Sequence, residues 1–537
     1  MGLSAGGTET GGGSANSTAG DSSVGGGGAS GTAGLTGGPP LFDVATPDAG
    51  APSQGFPQTC AEAAAAQSTI GCEFYPVFAH DAGSLPGNFP GNELNDVLGV
   101  AVSNVSPDVA NVTLQESNGM VQQVMLDPGA LHTFLVYQDS STYASPLAHD
   151  TCHVEGKAMV LTSDRPLQAW QFLPIGVGED NDASILMPRH TWGTRHRVVT
   201  PIGKLGGNYV LVVAAEDDTE VTITLAPGVL GGTKPHADYI PGCKPVPALV
   251  GAGDSMTLTL HAGDILKVVT DRMTGQLSDL SGSLVEATRP ISVFSGTNAV
   301  YLPAADCCSD LVGTAVPPVT TWGKAYPAVK LRPVTKGYDV WKFIADEDET
   351  TITLTGDEND VLVLNAGEVA EVYSTGTFWA ASDKAFGVAR LQTAGWFADP
   401  GLAGKNAYDT YDCGAIDAPG DPAMSWEFPP DNWLNRYLLP TASGLGSLTE
   451  WCNDTATIVA PTERWQEVTL DGAPLPPGIP VAGSGFSWAY VDLPAPLHEV
   501  DAPVDVPVGV MVYGLIHNGS YLYPGGVGLD VINPPEG

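Results

Sequence analysis

Carboxylates cluster at two turns that precede Thr-rich strands, and these residues are the best suited to bind a metal ion. The stretches EDDTE and DEDET place Asp217 and Asp218 at the first turn and Asp346 and Asp348 at the second. Carboxylate oxygens are the ligands that Ca²⁺ prefers in proteins. The same side chains also accept hydrogen bonds from backbone amides in turns. We therefore predict solvated turns and no cofactor, with calcium sites as the alternative.

Motifs for catalysis are incomplete in this sequence. Residues 485–489 resemble the Gly-x-Ser-x-Gly of serine hydrolases, but the stretch ends in Ala489 and lies in a predicted strand. His498 and Glu499 are followed by residues that do not complete a zinc-protease motif, and we predict an isolated exposed pair on a strand. The sequence therefore predicts that the protein is not an enzyme. The alternative is a glycan-acting hydrolase that uses paired carboxylates.

Three stretches repeat a Pro that is followed four residues later by a Trp. The pairs are Pro188 and Trp192, Pro318 and Trp322, and Pro429 and Trp433. Gly193 and Gly323 follow the first two Trp residues, whereas Leu434 follows the third. Pro holds its neighbours extended, and Gly lets another part of the chain approach the indole. We predict that each Trp packs in the seam between successive units, with an exposed ligand platform as the alternative.

The composition indicates a large all-β protein. The chain has 537 residues, of which 66 are Gly and 44 are Pro, and short Val- and Thr-rich runs lie between them. Frequent Gly and Pro between such runs are typical of many short strands joined by turns. The 21 basic and 60 acidic residues give a net charge of −39, which repels nucleic acid and anionic lipid and favours a cationic partner. No apolar run is long enough to insert into a membrane.

Internal repeats predict four units. A polar turn followed by an apolar strand recurs as SDRPLQAW, ATRPISVF, SDKAFGVA and VDVPVGVM. A Gly hairpin recurs from Leu126, Leu260 and Leu364, with VDLPAPLHEV as a fourth copy, and Thr-rich strands recur with CNDTATIVA as their fourth copy. Each unit has about seven strands, as in a β-sandwich. We predict tandem sandwich-like modules at 56–190, 191–321, 322–432 and 433–537, with a β-propeller as the alternative.

The N-terminal residues differ from the rest of the chain. Residues 1–55 are rich in Gly, Ser and Thr and predict a disordered tether of the kind that follows a lipid-anchored N-terminus. Eight cysteines without a Cys-x-x-Cys pair indicate disulfides in an exported protein. Cys60 and Cys72 close a short loop, and we predict that they are bonded to each other.

One stretch, residues 295–326, contains ten residues in a distinctive order and spacing: Ser295, Gly296, Pro303, Cys308, Leu311, Pro317, Pro318, Val319, Trp322 and Gly323. In these residues the stretch resembles the N-terminal domain of the IgGFc-binding protein family. The sequence departs from the family pattern at Ala299, where a cysteine is expected, and at Ser309 and Asp310, which replace Asp-His. The resemblance implies an extracellular binding or adhesion module, and a bacterial surface protein is the expected member.

Together these features predict a non-enzymatic binding or adhesion protein that is extracellular or on a bacterial cell surface. Its expected partner is a protein or a glycan at that surface, because rigid β modules display recognition loops. A structural subunit of a surface layer or filament is a further alternative, since it would share this composition.

Overall fold

The computed structural model describes most of the chain beyond its N-terminal stretch. The described residues are 55–78, 97–137, 151–173, 175, 182–202, 207–233, 242–270, 277–302, 310–332, 338–393, 420–442, 453–516 and 519–534. The tether predicted for residues 1–55 lies outside them apart from Gly55, as do Cys307, Cys308, Cys413 and Cys452. Over these ranges no helix is long and apolar enough to cross a membrane.

The strands fall into four successive groups. The first contains α1 (Cys60–Ala65), β1 (Ile70–Phe74), β2 (Val97–Asn104), β3 (Ala110–Gln115), β4 (Val121–Leu126), β5 (Leu131–Tyr137), β6 (Cys152–Val154), β7 (Val160–Leu173) and β8 (Asp182–Ile185). The second contains β9 (Gly193–Arg197), β10 (Asn208–Ala214), β11 (Thr219–Thr224), β12 (Cys243–Lys244), β13 (Ser255–Leu260), β14 (Ile265–Val269), β15 (Leu284–Val300) and β16 (Asp310–Ala315).

The third and fourth groups complete the fold. The third contains β17 (Ala325–Ala328), β18 (Asp339–Ala345), β19 (Thr350–Gly356), β20 (Val361–Leu364), β21 (Val369–Ser374), β22 (Phe378–Ser382), β23 (Phe386–Gln392) and β24 (Ala423–Glu427). The fourth contains β25 (Arg436–Pro440), β26 (Asn453–Pro461), β27 (Thr469–Leu470), β28 (Ala473–Pro474), β29 (Ile479–Pro480), β30 (Phe486–Asp492), β31 (Leu497–Asp501), β32 (Gly509–Ile516) and β33 (Gly519–Pro524). Short 3-10 helices cover Arg189–Thr191, Val319–Thr321, Pro430–Asn432 and Thr462–Glu467.

Each group is built around a central strand that lies between two antiparallel neighbours. β2 lies between β5 and β7, β10 between β14 and β15, β18 between β21 and β23, and β26 between β30 and β32. An opening strand and a hairpin form a second layer, and the closing strands β8, β16, β24 and β33 pair with β7, β15, β23 and β32. The prediction of an all-β fold with repeated sandwich-like modules is confirmed. Over the described residues the sheets do not close into a propeller.

The motif with a polar turn before an apolar strand marks a change of layer. In β7, residues before Pro166 pair with β3, and residues after it pair with β2. Pro290 divides β15 in the same way between β11 and β10. Because Pro has no N–H to donate, it ends one ladder of hydrogen bonds where the next begins. In the third group Ala385 stands at this place, and β22 and β23 are separate strands.

The fourth group departs from the sequence repeats in two places. CNDTATIVA, aligned with the Thr-rich hairpin strands, contains the central strand β26 instead. VDLPAPLHEV, aligned with the Gly hairpins, joins β30 to β31, and the turn before β30 contains Gly483 with a φ of 78°. These two equivalences are wrong because a run rich in Thr and Val also fits a buried central strand, and VDLPAPLHEV has no Gly to mark a hairpin turn.

The closing strands contact one another in a circuit that joins the four groups. β8 contacts β16, β16 contacts β24, β24 contacts β33, and β33 contacts β8. Asp182 Oδ2 accepts a hydrogen bond from Gly313 N of β16 at 2.9 Å, and the carboxylate also accepts one from Met424 N of β24. Burial raises the pKa of the Asp182 carboxyl well above its ordinary value, although these amides favour the charged form.

The first and last described segments pair with each other. Ser68 and Gly528 form an antiparallel bridge. Thr69 N donates to Val527 O at 2.9 Å, and Val527 N donates to Thr69 Oγ1 at 3.0 Å. These bonds join the segment before β1 to the segment after β33, so the first and fourth groups are held together directly.

Candidate functional site

The three Pro-Trp elements have one local structure. Pro188, Pro318 and Pro429 each precede a 3-10 helix, and the Trp four residues later ends it. In the first two elements a Thr hydroxyl donates to the Pro carbonyl at 2.8 Å, from Thr191 and Thr321. The fixed φ of Pro and this side-chain bond define a short, rigid corner.

The indoles of these elements are buried to different degrees. Trp192 is 8% exposed, and its ring centroid lies 4.9 Å from that of Tyr75 in the first group. Trp322 is 2% exposed and lies 6.0 Å from Trp426. Trp433 is half-buried, and its ring lies 5.3 Å from that of Phe486. An exposed ligand platform does not fit Trp192 or Trp322.

Successive Pro-Trp elements pack on one another through glycine. A Cβ atom at Gly193 would lie 2.6 Å from Pro318 Cβ, and one at Gly323 would lie 2.3 Å from Pro429 Cβ. Gly71 of β1 receives Pro188 in the same manner, at 2.3 Å. Only glycine leaves room for these contacts. The Trp-Gly pairs indicated two of the three glycines, whereas Gly71 has no neighbouring Trp that could have identified it.

Two further glycines receive the indoles. A Cβ atom at Gly387 would lie 2.6 Å from Trp322 Cζ2, and one at Gly509 would lie 2.5 Å from Trp433 Cε2. Both glycines stand at the same place in the repeated turn-and-strand motif, in SDKAFGVA and VDVPVGVM. Sequence reasoning missed this role, although the shared position was the signal.

Asp346, predicted as a solvated turn residue with calcium binding as the alternative, lies in an ion-pair network between the second and third groups. Arg195 Nη2 and Nε donate to its Oδ1 and Oδ2 at 2.9 and 3.1 Å. Arg197 Nε also donates to Asp346 Oδ1, and the Arg197 side chain is 7% exposed. Because two guanidinium groups already neutralise this carboxylate, its surroundings are unsuited to Ca²⁺.

The other three calcium candidates are turn residues. Asp217 Oδ1 accepts from Ala262 N, and Asp348 Oδ1 accepts from Ala366 N, both at 3.1 Å. Asp218 has a φ of 55°, and its side chain is 80% exposed. Within the described ranges, no three His, Cys, Asp or Glu side chains converge in a way that could hold a metal ion.

Lys342 is a buried cation that sequence reasoning missed. It lies in the apolar central strand β18, and its Nζ donates to Thr200 O at 2.7 Å, Asp279 Oδ2 at 3.0 Å and Ser281 Oγ at 3.1 Å in the second group. It also contacts Glu371 Oε1 at 2.9 Å. Burial alone would lower the pKa of Lys342, but the two carboxylates raise it instead. The lysine therefore stays charged and joins the second group to the third.

A small cavity of about 30 Å³ lies between the third and fourth groups. Arg390 and Glu427 line it beside Trp433. Arg390 Nη2 lies 2.6 Å from Glu427 Oε1, and its guanidinium carbon lies 4.3 Å from the ring centroid of Trp341. Burial raises the pKa of Glu427 despite the arginine. Among the described residues, the lining holds this one buried ion pair and the hydroxyl of Thr457, and it contains no second carboxylate.

The two incomplete catalytic motifs are structural. His498 was predicted to be exposed, but its side chain is 0% exposed, and its Nδ1 lies 2.6 Å from Asp471 Oδ2. Its Nε2 accepts a hydrogen bond from Ala495 N at 2.9 Å, so both ring nitrogens are engaged. Ser487 is 2% exposed on β30 and lies within hydrogen-bond distance of Thr462 Oγ1. The exposed-pair prediction was wrong because Asp471 lies far from His498 in sequence.

Two disulfides lie in the described part of the chain. Cys60 of α1 is bonded to Cys72 of β1, the pairing predicted from their spacing. Cys152 of β6 is bonded to Cys243 of β12. β6 follows the first group in sequence but pairs with β14 of the second. The second disulfide therefore fixes a strand that crosses between groups.

Residues 295–326, the stretch that resembles the IgGFc-binding protein family, include the end of β15, the whole of β16 and the segment that joins them. Ser295 Oγ donates to Val199 O at 2.6 Å, and Leu311 is fully buried. A Cβ atom at Gly296 would lie 2.0 Å from Val312 O. Pro303 and Cys308 lie outside the described residues. The matching residues that are described therefore have packing roles.

Comparisons with known proteins agree with the resemblance of residues 295–326 to the IgGFc-binding protein family. Residues 182–514 match the family described as IgGFc binding protein. The human IgGFc-binding protein is 24% identical over 367 residues, which cover 66% of this chain and 6% of the human protein. The chain thus spans a small part of that relative.

Likeness to solved structures is slight. Elastase-activated alpha-2-macroglobulin of Escherichia coli is 11% identical, with a TM-score of 0.12 over 86% of this chain and 43% of its own. A tetra-tandem repeat from the extending region of a large adhesion protein is 9% identical, with a TM-score of 0.10 over 83% of this chain and 98% of its own. Scores this low carry no argument about the fold.

Proposed function

Because the chain belongs to the IgGFc-binding protein family, we propose that it is a non-enzymatic extracellular binding protein whose ligand is a protein. The family match is the observation that carries this proposal. It begins at the first residue of β8 and ends within β32, so it includes all three Pro-Trp elements. The matched region therefore contains the second and third groups and most of the fourth, and such packed β groups are suited to holding a binding surface in a fixed shape.

The finer parts of the proposal concern location and role. We propose adhesion at a bacterial surface, with the Gly-rich N-terminal residues as the spacer behind a lipid anchor and the four modules as the projecting part. The net charge of −39 supports a cationic protein partner over nucleic acid. Disulfides at Cys60–Cys72 and Cys152–Cys243 support an oxidising compartment. A glycan partner is the alternative ligand.

Binding of the full chain to a defined panel tests the proposal. The chain is immobilised and exposed to the Fc fragment of IgG, to a mucin-type glycoprotein and to the same glycoprotein after its glycans are removed. We expect saturable binding to at least one protein, and we expect it to persist after glycan removal. Heat-denatured chain is the control for non-specific adsorption. Release of sugar from the glycoprotein, without binding to any protein, would instead favour a hydrolase.

Calcium is tested in the same assay. We propose that binding needs no Ca²⁺, because Asp346 is engaged by two arginines and Asp217 and Asp348 accept backbone amides. Binding should therefore be equal in Ca²⁺ and in a chelator. Loss of binding in the chelator would restore the calcium alternative.

A further inference from the structure

Lys342, Asp279 and Glu371 form a buried cluster at the contact between the second and third groups. The Lys342 side chain is 1% exposed, and those of Asp279 and Glu371 are 13% and 19% exposed. Lys342 Nζ lies 3.0 Å from Asp279 Oδ2 and 2.9 Å from Glu371 Oε1. One nitrogen therefore contacts two carboxylates, one from each side of the contact.

The packing of a central strand does not require a lysine at this position. Ala345 ends β18 with two backbone hydrogen bonds to the turn before β21, and Ala214 ends β10 with the same two bonds to the turn before β14. Lys342 of β18 is therefore equivalent to Leu211 of β10, which is fully buried. Since an apolar side chain fills this place in the second group, the charged amine of the third group has a role beyond filling space.

The Asp279 carboxylate is held with its two oxygens in different surroundings. Oδ1 accepts hydrogen bonds from Thr200 Oγ1 at 2.9 Å and from Ser281 N at 2.8 Å. Oδ2 faces Lys342 Nζ. Donors on Oδ1 stabilise the negative charge that develops there when a nucleophile attacks the Cγ atom. Oδ2 is then the oxygen placed to leave.

Glu371 is fixed beside the same amine. It lies directly opposite Lys342 in the antiparallel pairing of β18 with β21. Its Oε2 accepts a hydrogen bond from Tyr373 Oη at 2.8 Å, and its Oε1 is turned to Lys342 Nζ. A carboxylate at hydrogen-bond distance can take a proton from an amine as a general base and return it to a leaving oxygen as a general acid.

We propose that Lys342 and Asp279 condense into an amide bond, with Glu371 as the catalytic residue. Glu371 Oε1 accepts a proton from the ammonium group, and the neutral amine attacks Asp279 Cγ. The Nζ–Cγ bond forms and the Cγ–Oδ2 bond breaks. Oδ2 leaves as water with two of the three protons that Nζ carried, and Glu371 is regenerated as a carboxylate. The charges of the ammonium and of Asp279 cancel in the neutral products, so the reaction needs no co-reactant.

Burial favours this reaction in two ways. Groups held in contact react with an effective concentration of about 10⁵ to 10⁸ M. A buried ion pair also carries a desolvation cost that a neutral amide does not. The two carboxylates raise the pKa of Lys342, so the amine is charged before the reaction and becomes a nucleophile when Glu371 takes its proton.

The amide bond makes the contact between the second and third groups covalent. Asp279 and Lys342 are separated by 63 positions in the chain, so the bond closes a loop that includes strands of both groups. This inference goes beyond the proposed function, because it concerns a modification of the chain itself and does not depend on any ligand.

The mass of the denatured, disulfide-reduced full chain tests the proposal. We expect a mass lower by one water molecule than the sequence requires, and a branched peptide after proteolysis that contains both Lys342 and Asp279. Lys342→Arg keeps the positive charge but removes the nucleophilic amine, so this variant should have the full mass of its sequence. An unmodified chain with the full mass of its sequence would overturn the proposal, whether or not any variant folds.

Two further variants distinguish the reaction from a structural ion pair. Asp279→Asn should lose one ammonia molecule in place of water, because a nitrogen then leaves from Cγ. Glu371→Gln keeps both reacting groups but should form the bond roughly 100-fold more slowly, or slower still, since the general base is absent. Lys384→Arg is the matched control: Lys384 Nζ lies 3.9 Å from Glu347 Oε2 in an exposed pair, and this variant should still lose one water.

The same measurements can reject each part of the proposal. A loss of water that persists in Lys342→Arg, or a branched peptide that joins other residues, would overturn the assignment of the bond. Equal rates of bond formation in Glu371→Gln and in the unmodified chain would overturn the catalytic role of Glu371. Circular dichroism of each variant shows that it is folded before its mass is compared.

Discussion

Substitution of Gly323 by Ala should open the seam between the third and fourth groups. The new Cβ atom would lie 2.3 Å from Pro429 Cβ and 2.7 Å from Pro429 Cγ. Carbon atoms pack at about 3.5 to 4.0 Å, so one side of the contact must move by more than an ångström. The Pro ring cannot rotate away as a flexible side chain would.

Movement of the glycine is also opposed. Gly323 N donates to Tyr326 Oη at 2.9 Å, and Gly323 O accepts from Phe386 N at 3.0 Å. The φ of Gly323 lies outside the left-handed region, so Ala is tolerated by the backbone itself and the whole cost comes from the contact. Over-packing of this kind costs about 1 to 3 kcal/mol, and the two hydrogen bonds place Gly323→Ala near the upper end.

Thermal denaturation followed by Trp fluorescence measures this cost. A loss of this size should lower the melting temperature by several degrees. Gly228→Ala is the matched control, because nothing lies within 4 Å of its Cβ position and its φ is also ordinary. It should change stability by less than about 0.5 kcal/mol. If Gly323→Ala melts at the same temperature as Gly228→Ala, the packing of Pro429 on Gly323 does not hold the seam.

Three further changes test other contacts. Trp322→Ala should cost about 3 to 5 kcal/mol, since the indole is 2% exposed, and a melting temperature within 1 °C or so of the unmodified chain would contradict this. Burial raises the pKa of Asp182, so the protonated carboxyl stabilises the fold at low pH, and this stabilisation is lost as pH rises through the raised pKa. Asp182→Asn should therefore remove this part of the decline in melting temperature with rising pH. Parallel plots of melting temperature against pH for the variant and the unmodified chain would refute this prediction. Removal of the disulfide by Cys60→Ser with Cys72→Ser should lower the free energy of unfolding by about 2 to 4 kcal/mol. Hydrogen-exchange protection should be lost first at residues 67–69. Unchanged protection there would show that the disulfide does not hold the pairing of these residues with residues 527–529.

The parts of the fold that could be predicted from the sequence are those encoded by local patterns. Pro and Gly at fixed positions identified the recurring element at Pro166 and the Trp elements at Pro188 and Pro318, although the turn predicted before Pro166 lies within the continuous strand β7. The spacing of Cys60 and Cys72 identified one disulfide. In each case the residues that act together are close in sequence, so the pattern contains the contact.

The parts that could not be predicted depend on partners far apart in the chain. Lys342 is stable in a buried strand because Asp279 and the carbonyl of Thr200 reach it from another group, in addition to Glu371 on the neighbouring strand. His498 is buried because Asp471 accepts its ring N–H. The fourth group was misaligned because its β27 and β28 have two residues each, too few to show a period. No local signal distinguishes these residues from exposed ones.

The Cys60–Cys72 disulfide has a mechanical consequence. Tension applied to the chain from its N-terminal side loads the packing of Phe56 against Arg436 of the fourth group, then reaches Cys60 and passes through the sulfur atoms to Cys72. Residues 67–69, which pair with residues 527–529, lie inside the covalent loop and are bypassed by that load. Force that passes Phe56 is therefore delivered to β1, which is paired with the long strand β7, and the pairing of residues 67–69 with residues 527–529 is not peeled open from that end.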